Sequence, residues 1–378
     1  MTTRVLVLGA GFGGLELTAS LSERFGTEID ITLIDRSEHF VFGFSKLDVM
    51  FGKRTPAEVS HPYSRLVKPG VRFVQTTIRA IDPVARSVEA DAGKFDADFL
   101  VVALGADLDP AATPGLLEDG HEFYTNGGAF AAREVIAGFG GGRVIIGVTS
   151  APFKCPPAPS ETALLMHEYL TERALRDSSE IVLVMPLPSP VPPVPTASEA
   201  ILAAFAERGI EFLPQRTITR LDPDQHEVVL ADESTIPYDL FLGVPKHVVP
   251  AVVAESGLIK GGWIGVDALT LHTDFPNVFA IGDVTSVGTP KAGVFSEGQA
   301  KVVADVITAS IRSERNSRVY DGNGICYMEF GDQRAARVDV TFASGTPPYG
   351  QFDRATEAIF EEKSEYGASR IQRWIGAS

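Results

Sequence analysis

The stretch that decides the fold is VLVLGAGFGG, residues 5–14, followed by a helical run from Leu15 to Phe25 and by IDITLID at 29–35. An apolar strand runs directly into Gly9-x-Gly11-x-x-Gly14, a helix follows, and a second strand ends on an acid. Each glycine has its own task. Gly9 permits a tight turn, Gly11 lets backbone approach a pyrophosphate, and Gly14 lets the helix meet the strand. The helix N-terminus turns its positive dipole end toward the phosphates, and Asp35 is placed to accept ribose hydroxyls. With strands, helix and acid in register, the stretch predicts a dinucleotide-binding unit.

Working outward, the pattern of strand then helix recurs. FLVVALG at 99–105 is a buried strand ending in glycine, and RVIIGV at 143–148 opens a second strand–turn–helix with Cys155 in its turn and a helix over 160–176. IVLVMP at 181–186, a helix over 197–208, a charged hairpin over 220–237 and DLFLGVP at 239–245 follow. NVFAIGDV at 277–284 then leads into a helix from Gly293 to about Ser310. This alternation predicts an α/β protein with parallel sheets, built from two Rossmann-like dinucleotide-binding domains and a C-terminal segment. The expected division is 1–107 with 258–315, then 108–257, then 316–378. The aromatic segment HFVFGFSKLDVMFGK at 39–53 reads as an irregular pocket lining.

Composition excludes several classes. Only two cysteines, Cys155 and Cys326, occur in 378 residues, which rules out a disulfide framework and a cysteine-ligated zinc ribbon. The net charge of −16 and the lack of any Lys/Arg run argue against nucleic acid as a partner. No apolar run approaches the roughly 20 residues of a membrane span, and no metal ligand set is expected. A soluble cytoplasmic protein is expected.

FAD or NAD could fill the first unit. Two glycine-ending strands, at Gly105 and Gly282, with Asp283 ahead of a later helix, point to the longer footprint of FAD. Asp283 can hold ribityl hydroxyls, although read alone it is an ordinary loop acid. The helix from Gly293 can direct its N-terminus at the flavin. The expected FAD-contacting positions are Gly9, Gly11, Phe12, Gly14, Asp35, Arg36, Ala103, Gly105, Gly282, Asp283, Lys291, Ala292 and Gly293. The second unit lacks such features: its turn reads GVTSAPFKCPP and its next strand ends MPLP, which disfavours a nicotinamide donor.

GAGFGG with Asp35, ALG at 103–105 and NVFAIGD at 277–283 resemble the two-dinucleotide-domain flavoprotein disulfide reductase superfamily. KCPPAPSE at 154–161, PKAG at 290–293 and GICY at 324–327 more narrowly resemble the sulfide:quinone oxidoreductases and the flavoprotein subunit of flavocytochrome c sulfide dehydrogenase. The similarity spans nearly the whole chain and thins after about Pro347. It implies a FAD-dependent enzyme that oxidises sulfide through a Cys155–Cys326 disulfide, with a persulfide intermediate, and passes electrons to quinone. Glu161 is implied as a base toward sulfide, beside its plain use at a helix N-terminus. Lys291 is implied near reduced flavin or in an acceptor pocket, beside a solvated surface position. Lys154 and the helix start are expected to lower the Cys155 pKa, although two unrelated buried thiols remain the plain alternative.

Some cysteines usual in these families are missing here. One would precede the second unit, where HEFYTNGG stands at 121–128. Another would bind FAD covalently near Phe42 and Phe44, so non-covalent FAD is expected. Alternatives are a type II NADH dehydrogenase-like flavoprotein and a redox-sensing flavoprotein with little turnover. The tail residues Tyr366, Arg370, Ile371, Arg373, Trp374 and Ile375 leave three contacts open: the inner face of the cell membrane, a homodimer partner, or the body of the protein.

Overall fold

The strand Thr3–Leu8 runs through the centre of the first sheet, and its residues Val5 to Leu8 are shielded from water. That location explains the uninterrupted apolar run: parallel strands covered on both faces need no polar alternation. In this computed structural model, which describes residues 2–315 and 318–376, the sheet order is Val278–Ala280, Phe99–Val102, Thr3–Leu8, Ile29–Asp35, Val71–Gln75, all parallel. A second parallel sheet repeats the plan with His121–Glu122, Leu240–Val244, Gly142–Val148, Ser179–Met185 and Ile210–Pro214. Each sheet is followed by a small three-stranded antiparallel sheet, Ile78–Asp96 in one case and Ile218–Pro237 in the other. The chain crosses between the halves as a pair of antiparallel strands, Asp107–Asp109 against Lys246–Val248.

The helix after the first glycine turn spans Phe12–Phe25 and lies along helix Gly293–Arg312. Gly9 has a left-handed φ of +100°, and a Cβ there would lie 2.4 Å from the Ala103 carbonyl oxygen. A Cβ on Gly14 would lie 1.9 Å from the Gly9 carbonyl oxygen. Both glycines are therefore demanded by backbone approach.

Two expectations change. The aromatic segment is more regular than its composition implies: His39–Val41 pairs with Ser60–Pro62 and Ser45–Met50 is a helix. The tail is not a short surface stretch. It forms an antiparallel meander, Asn323–Gly331, Arg334–Thr341 and Tyr349–Thr356, and then a helix, Glu357–Trp374. Of the expected 316–378 segment, positions 316, 317, 377 and 378 lie outside the described residues, as does Met1.

The tail helix packs inward, which settles the choice among bilayer, dimer and body for its apolar residues. Ile371, Trp374 and Ile375 are buried, and the Tyr366 hydroxyl donates to Glu297 (3.1 Å). The Trp374 indole N–H donates to the buried Glu16 carboxylate (2.7 Å) and its ring meets Phe12, Phe40 and Phe42. Arg373 donates to Glu16 and Glu23, and Arg370 to Glu297. These two arginines, which beside apolar residues read as bilayer contacts, serve as clamps onto the helices Phe12–Phe25 and Gly293–Arg312.

Candidate active site

The C-terminal ends of the first sheet's strands open into a cavity of about 410 Å³. Gly11, Phe12, Asp35, Ala103, Gly105, Gly282, Asp283, Ala292 and Gly293 line it. Cys155, Glu161 and Cys326 line the same cavity. A Cβ on Gly11 would meet nothing within 4 Å, so its backbone faces open space, as close approach of a phosphate requires. Asp35 accepts from the Ala10 N–H (2.7 Å) and the Ser37 N–H (2.8 Å) while facing the cavity. The turn is held further by the Tyr63 hydroxyl, which donates to the Ala10 carbonyl (2.6 Å). Helix Gly293–Arg312 begins at the cavity, where Gly293, Val294 and Ser296 present its positive end.

Gly9 and Gly14 shape this turn from behind. Arg36 does not join the cavity: its guanidinium is largely exposed and lies 3.7 Å from Asp107. It sits one residue past the strand end, where the side chain turns outward. Lys291 is not among the residues lining this cavity, and the plain alternative of a solvated lysine does not hold. It is buried rather than solvated, with its ammonium 3.1 Å from the centroid of the Trp263 ring and donating to the Asp283 carbonyl (2.6 Å). Burial brings its pKa down to about 8, with Asp283 opposing and Lys154 reinforcing the shift.

The two cysteines reach the cavity from different elements. Cys155 sits in the turn after strand Gly142–Val148 and before helix Ala158–Glu172, with a left-handed φ of +48° that is uncommon for a non-glycine residue. The turn is tied down because the Cys155 N–H donates to the Lys291 carbonyl (2.7 Å). Cys326 lies on strand Asn323–Gly331, opposite Val338. Both thiols are free.

The Lys154 ammonium, the expected cause of a lowered Cys155 pKa, is directed away from the thiol. Cys155 is itself exposed at the cavity, and the protein packed around that cavity pushes its thiol up, with Cys326 and Glu161 adding to the shift. Lys46 and the Ala158 N–H oppose it. Burial likewise brings Cys326 up to about 12, with Glu161 contributing. The Lys154 ammonium is directed instead at the Ala106 carbonyl (3.0 Å). Its backbone N–H donates to Nε2 of buried His247 (3.2 Å), whose Nδ1 lies 2.9 Å from the Pro245 carbonyl.

Glu161 is buried in the first turn of its helix. Its Oε1 accepts from the Glu329 N–H (2.9 Å) and lies 3.4 Å from the Lys363 ammonium. Lys363 also pairs with Glu329 (2.5 Å), which Lys53 approaches at 3.2 Å. Burial raises the Glu161 pKa against the pull of Lys363. This ion network joins the cavity to the meander and the tail helix, and the tail's contribution was missed because Glu329 and Lys363 stand 168 and 202 positions from Glu161. Lys46 and Tyr124, also missed, line the cavity. Their only signal in the sequence was a place within the aromatic and HEFYTNGG segments.

A glycine-turned dinucleotide cavity that also receives two cysteines defines a redox enzyme of the dinucleotide-binding class. Residues 3–304 match the pyridine nucleotide-disulphide oxidoreductase family, and the chain belongs to that family as a flavoprotein oxidoreductase. It is 26% identical over 371 residues to the mitochondrial sulfide:quinone oxidoreductase of Mus musculus, covering 94% of this chain and 82% of that protein. A shorter match, 39% identical over 104 residues, covers 27% of this chain and 26% of the type II NADH:quinone oxidoreductase of Staphylococcus aureus. The solved sulfide:quinone oxidoreductase of Aquifex aeolicus shares the fold, with a TM-score of 0.88 at 22% identity over 100% of this chain and 93% of that one.

Proposed function

We propose that this protein oxidises sulfide through Cys155 and Cys326, with bound FAD and with quinone as the electron acceptor. One observation carries the reading: two cysteines from distant parts of the chain, one in a turn and one in the tail meander, line the same cavity as the glycine turn. Two relatives named for sulfide and quinone, each matched over most of the chain, support it. The proposed division assigns 1–107 and 258–315 to FAD, 108–257 to the unit bearing Cys155, and 316–378 to the segment bearing Cys326.

FAD would be held non-covalently by Gly11, Phe12, Asp35, Ala103, Gly105, Gly282, Asp283, Ala292 and Gly293. When bound it accepts an electron pair from sulfur and yields it to quinone. The chain's own part begins with the two thiols joined as a disulfide. Hydrosulfide attacks one sulfur, an S–S bond forms to it, and the Cys155–Cys326 bond breaks, leaving a persulfide on one cysteine and a thiolate on the other. In its ionised form Glu161, made a stronger base by the burial that raises its pKa, would take the proton released from sulfide. The buried ion network holds that carboxyl in position.

No helix among the described residues is long and apolar enough to cross a membrane. We place the protein in the cytoplasm, reaching quinone as a peripheral protein. The apolar side of the tail helix is already packed, so that approach and any homodimer contact would use other surfaces.

Anaerobic titration of the flavin-loaded protein tests the reading. Sulfide should bleach the flavin absorbance, NADH should not, and Cys155→Ser should abolish the sulfide response. Bleaching by NADH alone would move the protein to the type II NADH dehydrogenase reading. Bleaching by sulfide with no quinone-dependent turnover would leave a sensor.

A further inference from the structure

Tyr124 presents a buried group that the fold leaves unused. The residue is 5% exposed, and its hydroxyl oxygen is shielded from solvent with no hydrogen-bond partner among the described residues. Buried hydroxyls are normally paired, because desolvation without a partner is costly. The ring is fixed by edge contacts to Phe123 (5.1 Å) and His247 (5.5 Å), so the hydroxyl cannot readily turn elsewhere. After burial, the groups that act on its ionisation are Cys155 and Glu161. Tyr124 shares the lining of the cavity with both of these groups.

Lys46 stands at the same place. Its ammonium donates to the Tyr124 carbonyl and lies 6.0 Å from the centroid of the Tyr124 ring. Burial and Lys154 bring its pKa down to about 8, while Cys155, Glu122 and Asp283 oppose that shift. One bond to a carbonyl leaves an ammonium two further donors. Lys46, Tyr124 and Cys155 all line the cavity. The charged or titratable groups acting on the Cys155 thiol are Cys326, Glu161 and Lys46. Of these, Lys46 alone favours an anion.

Two donors on the lining that Cys155 shares, one of them without a partner, suit an acceptor that the neutral thiol does not supply. A thiol is a weak acceptor, whereas an anionic sulfur is a strong one. A persulfide also extends the side chain by about 2 Å, the length of an S–S bond.

We propose that the Tyr124 hydroxyl and the Lys46 ammonium form a two-donor site for the anionic sulfur that Cys155 carries once its bond to Cys326 has opened. The site rests on the reading of Cys155 and Cys326 as the redox pair. It takes a thiolate, or a persulfide if Cys155 retains the added sulfur. No covalent bond to either donor is made or broken, and the protons stay on Tyr124 and Lys46.

The test uses flavin-loaded Cys326→Ser protein, in which Cys155 is the only cysteine. Iodoacetamide alkylation is followed from pH 6 to 10 in this parent and with Tyr124→Phe, Lys46→Gln or Lys46→Arg added. A rise of one pKa unit cuts the thiolate tenfold below the midpoint, partly offset by greater nucleophilicity, for a net slowing of about threefold. Tyr124→Phe and Lys46→Gln should each slow alkylation by at least that factor near pH 7, and Lys46→Arg should restore most of the rate. Superimposed pH profiles for the parent, Tyr124→Phe and Lys46→Gln would overturn the site. If Tyr124→Phe loses flavin, the comparison of Lys46→Gln with Lys46→Arg decides. The assay uses neither sulfide nor quinone, so failure of sulfide oxidation and failure of this site are read separately.

Discussion

Replacing Lys363 by Met probes the buried ion network most directly. Lys363 is 4% exposed. Its ammonium lies 2.5 Å from Glu329, 3.4 Å from Glu161 and 4.6 Å from the centroid of the Phe44 ring. Met matches its length and keeps the apolar packing, so the loss is chiefly of charge. Breaking a buried pair by removing one partner costs about 3–5 kcal/mol, because the other charge is left uncompensated. Glu329 keeps Lys53 at 3.2 Å. Among the described residues Glu161 keeps only the Glu329 N–H, so the cost falls mainly on Glu161. An unfolding entropy of about 2.1 cal/mol/K per residue turns 3–5 kcal/mol into a Tm loss of about 4–6 °C for a chain of this length.

The sign with pH follows from the Glu161 pKa, already raised by burial above its ordinary 4.5. Loss of the ammonium raises it further. Between 4.5 and the new folded pKa, the native state holds a proton that the unfolded chain has released. Stability therefore falls as pH rises through that window, by up to about 1.4 kcal/mol per pH unit. The variant's deficit against wild type should be largest near pH 8 and about 2 °C or less near pH 5. Thermal unfolding of both flavin-loaded proteins at the two pH values measures it. Equal deficits at pH 5 and pH 8, or a deficit under about 1 °C at pH 8, would refute the reasoning.

Gly14→Ala should yield a chain that retains little flavin, since its Cβ would sit 1.9 Å from the Gly9 carbonyl oxygen and force the turn apart; flavin absorbance per protein after gel filtration measures it, and full occupancy would count against the turn as cofactor cradle. His247 should contribute to acid sensitivity. Burial lowers its pKa from 6.5 to about 3, with Lys154 adding, so the unfolded chain takes up a proton there that the native state refuses. Stability is then lost as pH falls below 6.5, by up to about 1.4 kcal/mol per unit. His247→Gln should flatten the decline in Tm between pH 6.5 and pH 4.5, and an unchanged slope would exclude His247 as its source.

The first sheet and its glycine turn were legible because their determinants are local. A Cβ at Gly9 or Gly14 collides with backbone a few residues away or on the adjoining strand, so only glycine serves, and buried parallel strands demand apolar runs that sequence displays directly. The meander and tail helix were not legible in that way. Strands Asn323–Gly331 and Arg334–Thr341 mix apolar with polar residues, and the tail helix is charged along much of its length. A short view of Arg370, Ile371, Arg373 and Trp374 could not reveal whether the arginines faced lipid or the carboxylates of Glu16 and Glu297.

By itself, then, the sequence determined the dinucleotide turn, the twofold α/β plan and the two cysteines as the chain's only thiols. Tertiary structure alone decided that those cysteines line one cavity, that the Lys154 ammonium turns to the Ala106 carbonyl, and that Lys46 and Tyr124 line the same cavity as Cys155. It also turned the Arg36 guanidinium toward Asp107 and buried Lys291. The division has a physical cause. Turn geometry and strand burial are set by nearest neighbours, whereas the charge and solvation felt at a thiol depend on which distant side chains folding brings within a few ångströms.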